Sequence, residues 1–242
     1  MPIPNGSVRA ISFDYGHVLG GLDFDDLAAR FVELGRARGD IARMRGALGE
    51  AYRAHDQVIA AAGGHEAAWR ALMSALVRAG VDVQERDTTA IVAALWDAQP
   101  SRNLWRFVPD EARTLLDALA AAKVPMAITS NSEGRVRELL EEIGIAHYFL
   151  GILDSGVLGF GKPDRRIFER VGELLGAPLA NIVHVGDSES ADIVGAKSAG
   201  AFAIRFDAFV PGASERATIA DARLDDYASL RRTLEDALGR AL

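Results

Sequence analysis

Short apolar runs that end in small or polar residues recur along the chain and predict buried strands. They are rich in β-branched and large apolar side chains and have no polar face, which is typical of parallel strands covered on both sides. Four of them occupy residues 8–14, 124–130, 148–154 and 181–187. A fifth run, at residues 201–206, follows a predicted helix that closes at Gly200. The sequence therefore predicts five buried strands.

From residue 111 onward, the segments between these runs carry apolar residues at a spacing of three or four, which predicts amphipathic helices. The first set precedes Lys123, the second closes at Gly144 and the third closes at Gly176. The apolar positions are Leu115, Leu116 and Leu119, then Val136, Leu139, Leu140 and Ile143, then Ile167, Phe168, Val171 and Leu175. Strands that alternate with helices predict an α/β fold with a doubly wound, Rossmann-like parallel sheet.

Between the first two runs this alternation stops for about ninety residues, which is too long for one crossover helix. The stretch keeps a helical spacing of apolar residues from the capping candidate Asp23 up to Pro100. We therefore expect an inserted all-helical domain over residues 22–103. Residues 1–21 and 104–242 then form the α/β core domain.

Composition and charge exclude several classes of protein. The chain has 27 Lys and Arg against 34 Asp and Glu, a formal net charge of -7 and no basic run, which disfavours a nucleic-acid partner. It has no Cys, which excludes disulfides, thiolate zinc sites and a Cys nucleophile. No stretch approaches the roughly 18 apolar residues of a membrane span, and the N-terminus lacks a secretion signal. We expect a soluble, cytoplasmic protein without a membrane partner.

Polar residues stand at the predicted strand ends, where open α/β sheets bind their ligands. Asp14 closes the first run, Ser130 and Asn131 close the second, and Asp187 closes the fourth. Lys162 lies just before a further predicted helix. A single aspartate in such a place is often only a turn former or a helix cap. The set as a whole favours a common site.

The residue types in this set suit the chemistry of phosphate groups. Asp14 and Asp187 supply the carboxylate oxygens that Mg²⁺ prefers, together with a substrate phosphate. Ser130, Asn131 and the Lys162 ammonium offer hydrogen-bond donors to phosphoryl oxygens. A carboxylate at such a site is also a competent nucleophile, which forms an aspartyl-phosphate. The pattern therefore predicts phosphoryl transfer.

Four short segments give the chain a family resemblance. They are FDYGHVL at residues 13–19, ITSN at 128–131, GKPD at 161–164 and GDSESAD at 186–192. In this order and at these spacings they resemble the four motifs of the haloacid dehalogenase-like (HAD) superfamily of hydrolases. The resemblance is to the subgroup, subfamily IA-like, whose helical cap is inserted after the first motif. It implies a Mg²⁺-dependent phosphatase that acts on a small phosphorylated metabolite.

The resemblance also implies roles for single residues around the metal. Asp14 becomes the nucleophile and a metal ligand, and residue 16 binds the metal through its backbone carbonyl. Asp187 holds Mg²⁺, with Asp192 in support.

On the phosphate side, the resemblance implies that Ser130 and Asn131 bind the phosphoryl group. Lys162 offsets the charge of the nucleophile and of the phosphate.

One position departs from the family pattern. The usual phosphatase motif has a second Asp two residues after the nucleophile, which acts as general acid and base, and here that residue is Gly16. A backbone carbonyl survives this change, whereas the proton donor does not. Sugar-phosphate phosphatases with an FDxGxV motif resemble this chain in having the same glycine. The neighbouring His17 is a candidate proton donor, and a solvated loop histidine is the alternative.

Other functions remain open from the sequence. A catalytically silent HAD-fold protein that binds a phosphorylated ligand or a protein partner is one, with Gly16 as the lesion. A 2-haloacid dehalogenase is another, although Asp187 in an intact GDS motif favours phosphate. The pattern Gly156-x4-Gly161-Lys162 imitates a nucleotide-binding loop, but Pro163 replaces the Ser or Thr that such a loop needs. Sugar phosphates are candidate substrates, and the sequence indicates no oligomeric state.

Overall fold

The computed structural model describes residues 2–61, 63–209 and 217–242. In this part of the chain, six parallel strands form one sheet in the order β3-β2-β1-β4-β5-β6. The strands are β1 (Ala10–Phe13), β2 (Met126–Ser130), β3 (Gly151–Asp154), β4 (Ile182–Gly186), β5 (Phe202–Phe206) and β6 (Ala222–Leu224). The predicted α/β class with a doubly wound parallel sheet is confirmed.

Two compact units divide the chain, and among the described residues one of them takes in Leu22–Phe107. Its helices are α1 (Phe24–Glu33), α2 (Ile41–Ala60), α3 (His65–Gly80) and α4 (Glu85–Ala98). Asp23 caps α1 by accepting a hydrogen bond from the Asp26 amide, as its position before the apolar pattern predicts. The helices bury a separate core that includes Phe31, Met44 and Leu76, all fully buried.

The other unit contains the sheet and the helices that alternate with its strands. These are α5 (Asp110–Ala121), α6 (Val136–Glu142), α7 (Ser155–Leu158), α8 (Arg165–Leu175), α9 (Val194–Ala199) and α10 (Tyr227–Leu238). Gly176 and Gly200 end α8 and α9 in the left-handed conformation, where the sequence predicts helix ends. No helix among the described residues is long and apolar enough to cross a bilayer.

The strand order fixes where a ligand site belongs. Chain order runs outward from β1 to β2 and β3 on one side, then returns to β4 and runs outward through β5 and β6 on the other. The reversal lies between β1 and β4, and a crevice outside the carboxyl ends of such a pair is the usual ligand site. Phe13 pairs with Val185, so Asp14 and Asp187 leave the sheet at the same edge.

The structure corrects the predicted strand set in two ways. The strands are shorter than the apolar runs, because buried residues such as Val8 and Val124 lie outside the ladder. Residues 146–148 form a 3₁₀ turn before β3. The sheet also has a sixth strand, Ala222–Leu224, which the sequence analysis missed; it is short, half-buried and at the edge.

Candidate active site

The first carboxylate of the site is held by the end of β1. The Asp14 amide continues the strand pairing by donating to the Val185 carbonyl, at 2.8 Å. One carboxylate oxygen, Oδ1, accepts from the amide of Tyr15 at 2.7 Å. Oδ1 also contacts the Lys162 ammonium, at 2.9 Å. These two contacts fix the position of Oδ1.

A tight loop follows the Asp14 carboxylate. The Tyr15 carbonyl accepts from the amides of Leu19 and Gly20, at 3.0 and 2.9 Å, and the His17 amide donates to the Gly20 carbonyl at 2.7 Å. His17 adopts φ of 60°, a left-handed conformation that is uncommon for a residue with a side chain. Strain of this kind persists where the surroundings enforce it, and it clusters at active sites.

His17 reaches across to the end of β4. Its Nδ1 lies 3.2 Å from Oδ2 of Asp187, and the side chain is only 15% exposed. The sequence left a proton donor and a solvated loop residue as alternatives for this histidine. The structure places the ring against a carboxylate of the site rather than in solvent.

Lys162 brings the positive charge of the site. Its ammonium lies 2.9 Å from Oδ1 of Asp14 and 2.7 Å from Oδ1 of Asp192, with the side chain 1% exposed. Burial lowers the pKa of Lys162, but the Asp14 and Asp192 carboxylates outweigh burial and hold the pKa above its usual range. The lysine is therefore a permanent cation beside the Asp14 carboxylate.

Asn131 holds the backbone of this lysine. Its Oδ1 accepts from the Lys162 amide and its Nδ2 donates to the Lys162 carbonyl, both at 2.8 Å. Gly161 must lack a side chain, because a Cβ there would lie 2.4 Å from the Asn131 amide oxygen. The resemblance implied a phosphate ligand at Asn131, whereas its side chain makes these two bonds to Lys162. Any phosphate contact would fall to its backbone.

Asp154, at the end of β3, is a site residue that the sequence did not point to. It is the register partner of Ser130, which lies at the end of β2. Its carboxylate accepts from the amides of Gly134, Val136 and Gly156 and so shapes the turn after Asn131. An aspartate closing a predicted strand was the available signal.

Asp192 is fully buried, and both oxygens of its carboxylate have polar partners. Oδ1 contacts His184 Nε2 at 2.9 Å besides Lys162, and Oδ2 accepts from the Ser188 amide at 2.9 Å. Gly186 allows this approach, since a Cβ there would lie 2.3 Å from the Asp192 side chain. Burial raises the pKa of Asp192, but Lys162 and the bond from His184 outweigh it and hold the pKa well below its usual range. Asp192 is thus ionised and fully engaged.

Three carboxylates together form a candidate cation site. Oxygens of Asp14, Asp187 and Asp192 lie within 4.8 Å of one another. Burial raises the pKa of Asp14 to about 7 although Lys162 opposes it, and the Asp192 and Asp187 charges raise it further. A bound divalent cation would relieve this crowding of negative charge. Asp14 and Asp187 therefore fit a metal, and Asp192 fits a supporting role.

A hydrogen bond from the C-terminal helix stabilises the loop after Asp14. The Tyr227 hydroxyl, on α10, donates to the Val18 carbonyl at 2.6 Å. Burial raises the pKa of Tyr227, so the hydroxyl keeps its proton and its role as donor. The ring also packs against Phe206, with centroids 4.9 Å apart.

Replacing Tyr227 by Phe tests this link. The ring stays and the donor is lost, at a local cost of about 1 kcal/mol. We expect faster hydrogen exchange at the Leu19 and Gly20 amides, by about five- to tenfold. The matched control is Tyr148→Phe, which removes a hydroxyl bonded to Asp117 on α5. Equal exchange of the loop amides in both variants would contradict the link.

Two curated phosphatases are similar to parts of this chain. Phosphoglycolate phosphatase of Neisseria meningitidis is 39% identical over 90 residues, which are 37% of this chain and 38% of that protein. Glyceraldehyde 3-phosphate phosphatase of Methanopyrus kandleri is 31% identical over 130 residues, 54% of this chain and 55% of that protein. The chain thus matches 38% of the length of the first relative and 55% of the second.

A solved structure matches over nearly its full length. It is the HAD-hydrolase YfnB from Bacillus subtilis bound to magnesium, with a TM-score of 0.69 at 19% identity, covering 94% of this chain and 98% of that one. At this identity the likeness shows the fold. A family model described as haloacid dehalogenase-like hydrolase matches residues 15–200, which is most of the chain. The protein therefore belongs to the haloacid dehalogenase-like hydrolase family.

Proposed function

We propose that the protein is a Mg²⁺-dependent hydrolase of small phosphate monoesters, with sugar phosphates among the candidate substrates. The observation that carries this proposal is the contact of the buried Lys162 ammonium with Asp14, beside the Asp187 carboxylate. This arrangement supplies a nucleophile, a fixed cation and a place for a metal. Family membership and the phosphatases among the relatives support it.

Asp14, Asp187 and the backbone carbonyl of Gly16 would hold the metal. The fit rests on the donors, which are hard oxygens, and on the three carboxylates whose oxygens lie within 4.8 Å of one another. When bound, Mg²⁺ would neutralise charge on the phosphoryl oxygens and on the carboxylates.

Two displacements at phosphorus complete the reaction. In the first, an Asp14 carboxylate oxygen bonds to phosphorus, and the bond from phosphorus to the ester oxygen breaks. The leaving oxygen departs as an anion, or as an alcohol with a proton taken from water, from the substrate or from His17. In the second, water attacks the aspartyl-phosphate and gives up its proton to solvent, the bond to Asp14 breaks and inorganic phosphate leaves. Lys162, the Ser130 hydroxyl and the backbone at Asn131 bind the phosphoryl oxygens through both steps.

We assign the helical segment 22–103 as the cap domain and residues 1–21 and 104–242 as the catalytic core. The compact unit Leu22–Phe107 supports this division. The carboxylates and Lys162 all belong to the sheet unit, which would carry the phosphoryl chemistry.

The test is hydrolysis of p-nitrophenyl phosphate and of a panel of phosphorylated metabolites by the purified protein. We expect turnover with Mg²⁺ and none after chelation by EDTA, with recovery on adding the metal back. A protein that binds these ligands and never releases phosphate would instead be the silent binder that Gly16 suggests. Release of halide from 2-haloacids without metal would indicate a dehalogenase.

Asp187→Ala tests the metal assignment separately. Removing one carboxylate weakens the site without touching Asp14, so we expect half-maximal activity at a Mg²⁺ concentration at least tenfold higher, and partial rescue of kcat by excess Mg²⁺. Asp236→Ala, which removes an exposed carboxylate on α10, is the charge-matched control. An unchanged Mg²⁺ dependence in Asp187→Ala would refute the assignment.

A further inference from the structure

A row of polar side chains crosses the middle of the parallel sheet, where apolar residues would be expected. Ser12 on β1 and His184 on β4 are register partners, and Thr129 lies on the neighbouring strand β2. The Ser12 and Thr129 hydroxyls lie 2.8 Å apart, and Ser12 Oγ lies 3.0 Å from His184 Nδ1. All three residues are fully buried. Burying polar groups costs free energy of folding, so a buried row of hydrogen-bonded side chains indicates a role beyond packing.

The direction of every bond in this row follows from its end at Asp192. An ionised carboxylate can only accept, so His184 Nε2 carries the proton that it donates to Asp192 Oδ1. Burial holds the pKa of His184 below its usual range, so the ring is neutral and Nδ1 offers a lone pair. Ser12 must then donate to Nδ1, and Thr129 must donate to Ser12. One tautomer of His184 therefore satisfies the whole row.

The row leads to the catalytic centre. The Asp192 oxygen that accepts from His184 is the oxygen that contacts the Lys162 ammonium, at 2.7 Å. The same ammonium contacts Asp14 Oδ1. A carboxylate without the bond from His184 could rotate or shift, and the ammonium paired with it would move relative to Asp14.

We propose that His184, oriented by Ser12 and Thr129, is a positioning residue that holds Asp192 and, through it, the Lys162 ammonium against the nucleophile. This inference rests on the proposed function, because it assigns His184 to the same reaction. It differs from a packing role, in which the ring would serve only to fill the space beside Phe168, whose ring centroid lies 5.4 Å away.

Two substitutions at position 184 separate these roles. His184→Leu fills the space and removes the donor, and we expect kcat to fall by about 10- to 100-fold with little change in KM, as is usual for residues that orient a catalytic group. His184→Gln keeps an N–H that can reach Asp192, and we expect it to recover part of the kcat. Ser12→Ala should give a smaller loss, since it removes the donor to Nδ1 but keeps the ring and its bond to Asp192.

Phe168→Leu is the control for packing. It removes buried apolar surface from the same place and leaves the hydrogen bonds of the row intact, so melting temperature should fall while kcat stays near that of the wild type. The positioning role would be wrong if kcat fell in proportion to melting temperature by the same amount in His184→Leu and Phe168→Leu. It would also be wrong if His184→Leu kept the wild-type kcat. If His184→Leu fails to fold, kcat and melting temperature of His184→Gln and Ser12→Ala are compared with those of Phe168→Leu instead.

The tautomer of His184 gives a readout that does not depend on activity. We expect ¹⁵N NMR of the ring to show the proton on Nε2 in the wild type and in Ser12→Ala, because the Asp192 carboxylate accepts from Nε2 in both. A wild type with the proton on Nδ1 would overturn the inference even in an active enzyme. A wild type with the Nε2–H form and no phosphatase activity would instead overturn the proposed function.

Discussion

Replacing Asp14 by Asn is expected to abolish hydrolysis and, in the metal-free protein at neutral pH, to increase stability. The amide is neither a nucleophile nor an anionic ligand, so turnover of p-nitrophenyl phosphate should disappear. The gain in stability follows from the surroundings of the carboxylate. Burial raises the pKa of Asp14 to about 7 against the pull of Lys162, and the Asp192 and Asp187 charges add to the rise. Its charge therefore opposes folding when no metal is bound.

The sign of the pH dependence follows from the same pKa. Between about pH 4, where the carboxyl titrates in the unfolded chain, and about pH 7, the folded state holds a proton that the unfolded state has lost. This group's contribution to stability is thus present at low pH and declines as pH rises through that window. The decline amounts to at most about 4 kcal/mol, from a shift of about three units.

Thermal unfolding in EDTA between pH 5 and pH 8 measures this effect. We expect the wild type to lose stability relative to Asp14→Asn as the pH rises, and the variant to melt at a higher temperature at pH 8. Saturating Mg²⁺ should reverse the order, because it binds the folded wild type and stabilises it by mass action. An Asp14→Asn protein that is less stable than the wild type in EDTA at pH 8 would contradict the electrostatic account of the site. An Asp14→Asn protein that still hydrolyses the ester would show that Asp14 is not the nucleophile.

The sheet could be predicted because buried parallel strands leave a plain signal. Each of the five apolar runs contains a strand, since a strand covered on both faces has no polar positions. The sixth strand, Ala222–Leu224, carries only three residues, one of them Arg223, and lies at the sheet edge. Its place depends on pairing with β5 rather than on any local pattern. An edge strand of this length cannot be distinguished from a loop by its sequence.

The sequence was enough to locate the candidate site, but not to predict which hydrogen bonds join its residues. The strand ends gave Asp14, Ser130 and Asp187, because chain order and sheet edge were enough to place them. What each polar group bonds to depends on backbone turns that no local pattern encodes. Asn131 turns its amide to Lys162, and His184 meets Asp192 across the π-helical turn at Glu189–Ile193. The bond from His184 to Asp192, and the contact of Asp192 with Lys162, emerged only from the fold.

Gly16 is expected to make the enzyme selective for substrates whose leaving oxygen is already acidic. With no carboxyl at this position, the departing oxygen must leave as an anion or take a proton from water, from the substrate or from His17. A positioned general acid contributes about 10²- to 10⁴-fold in rate. Aryl phosphates and anomeric sugar phosphates should therefore react much faster than simple alkyl phosphates, with a steep dependence of kcat/KM on the pKa of the leaving group.

Gly16→Asp should narrow this gap by restoring an acid. The described residues leave room for it: a Cβ at Gly16 would meet none of their atoms within 4 Å, and Gly16 is not in the left-handed conformation. We expect alkyl esters to gain about tenfold or more while aryl esters change little, because only poor leaving groups need the proton. Gly16→Asn, similar in shape and unable to act as an acid, is the matched control and should not gain.

A leaving-group series measured as kcat/KM for the wild type and both variants decides the question. A shallow dependence in the wild type that Gly16→Asp leaves unchanged would mean that another residue already donates the proton. The contact of His17 with Asp187 then makes His17→Ala the informative variant. If His17 is that acid, its loss should slow alkyl esters more than aryl esters and steepen the series, and adding Gly16→Asp to His17→Ala should flatten the series again.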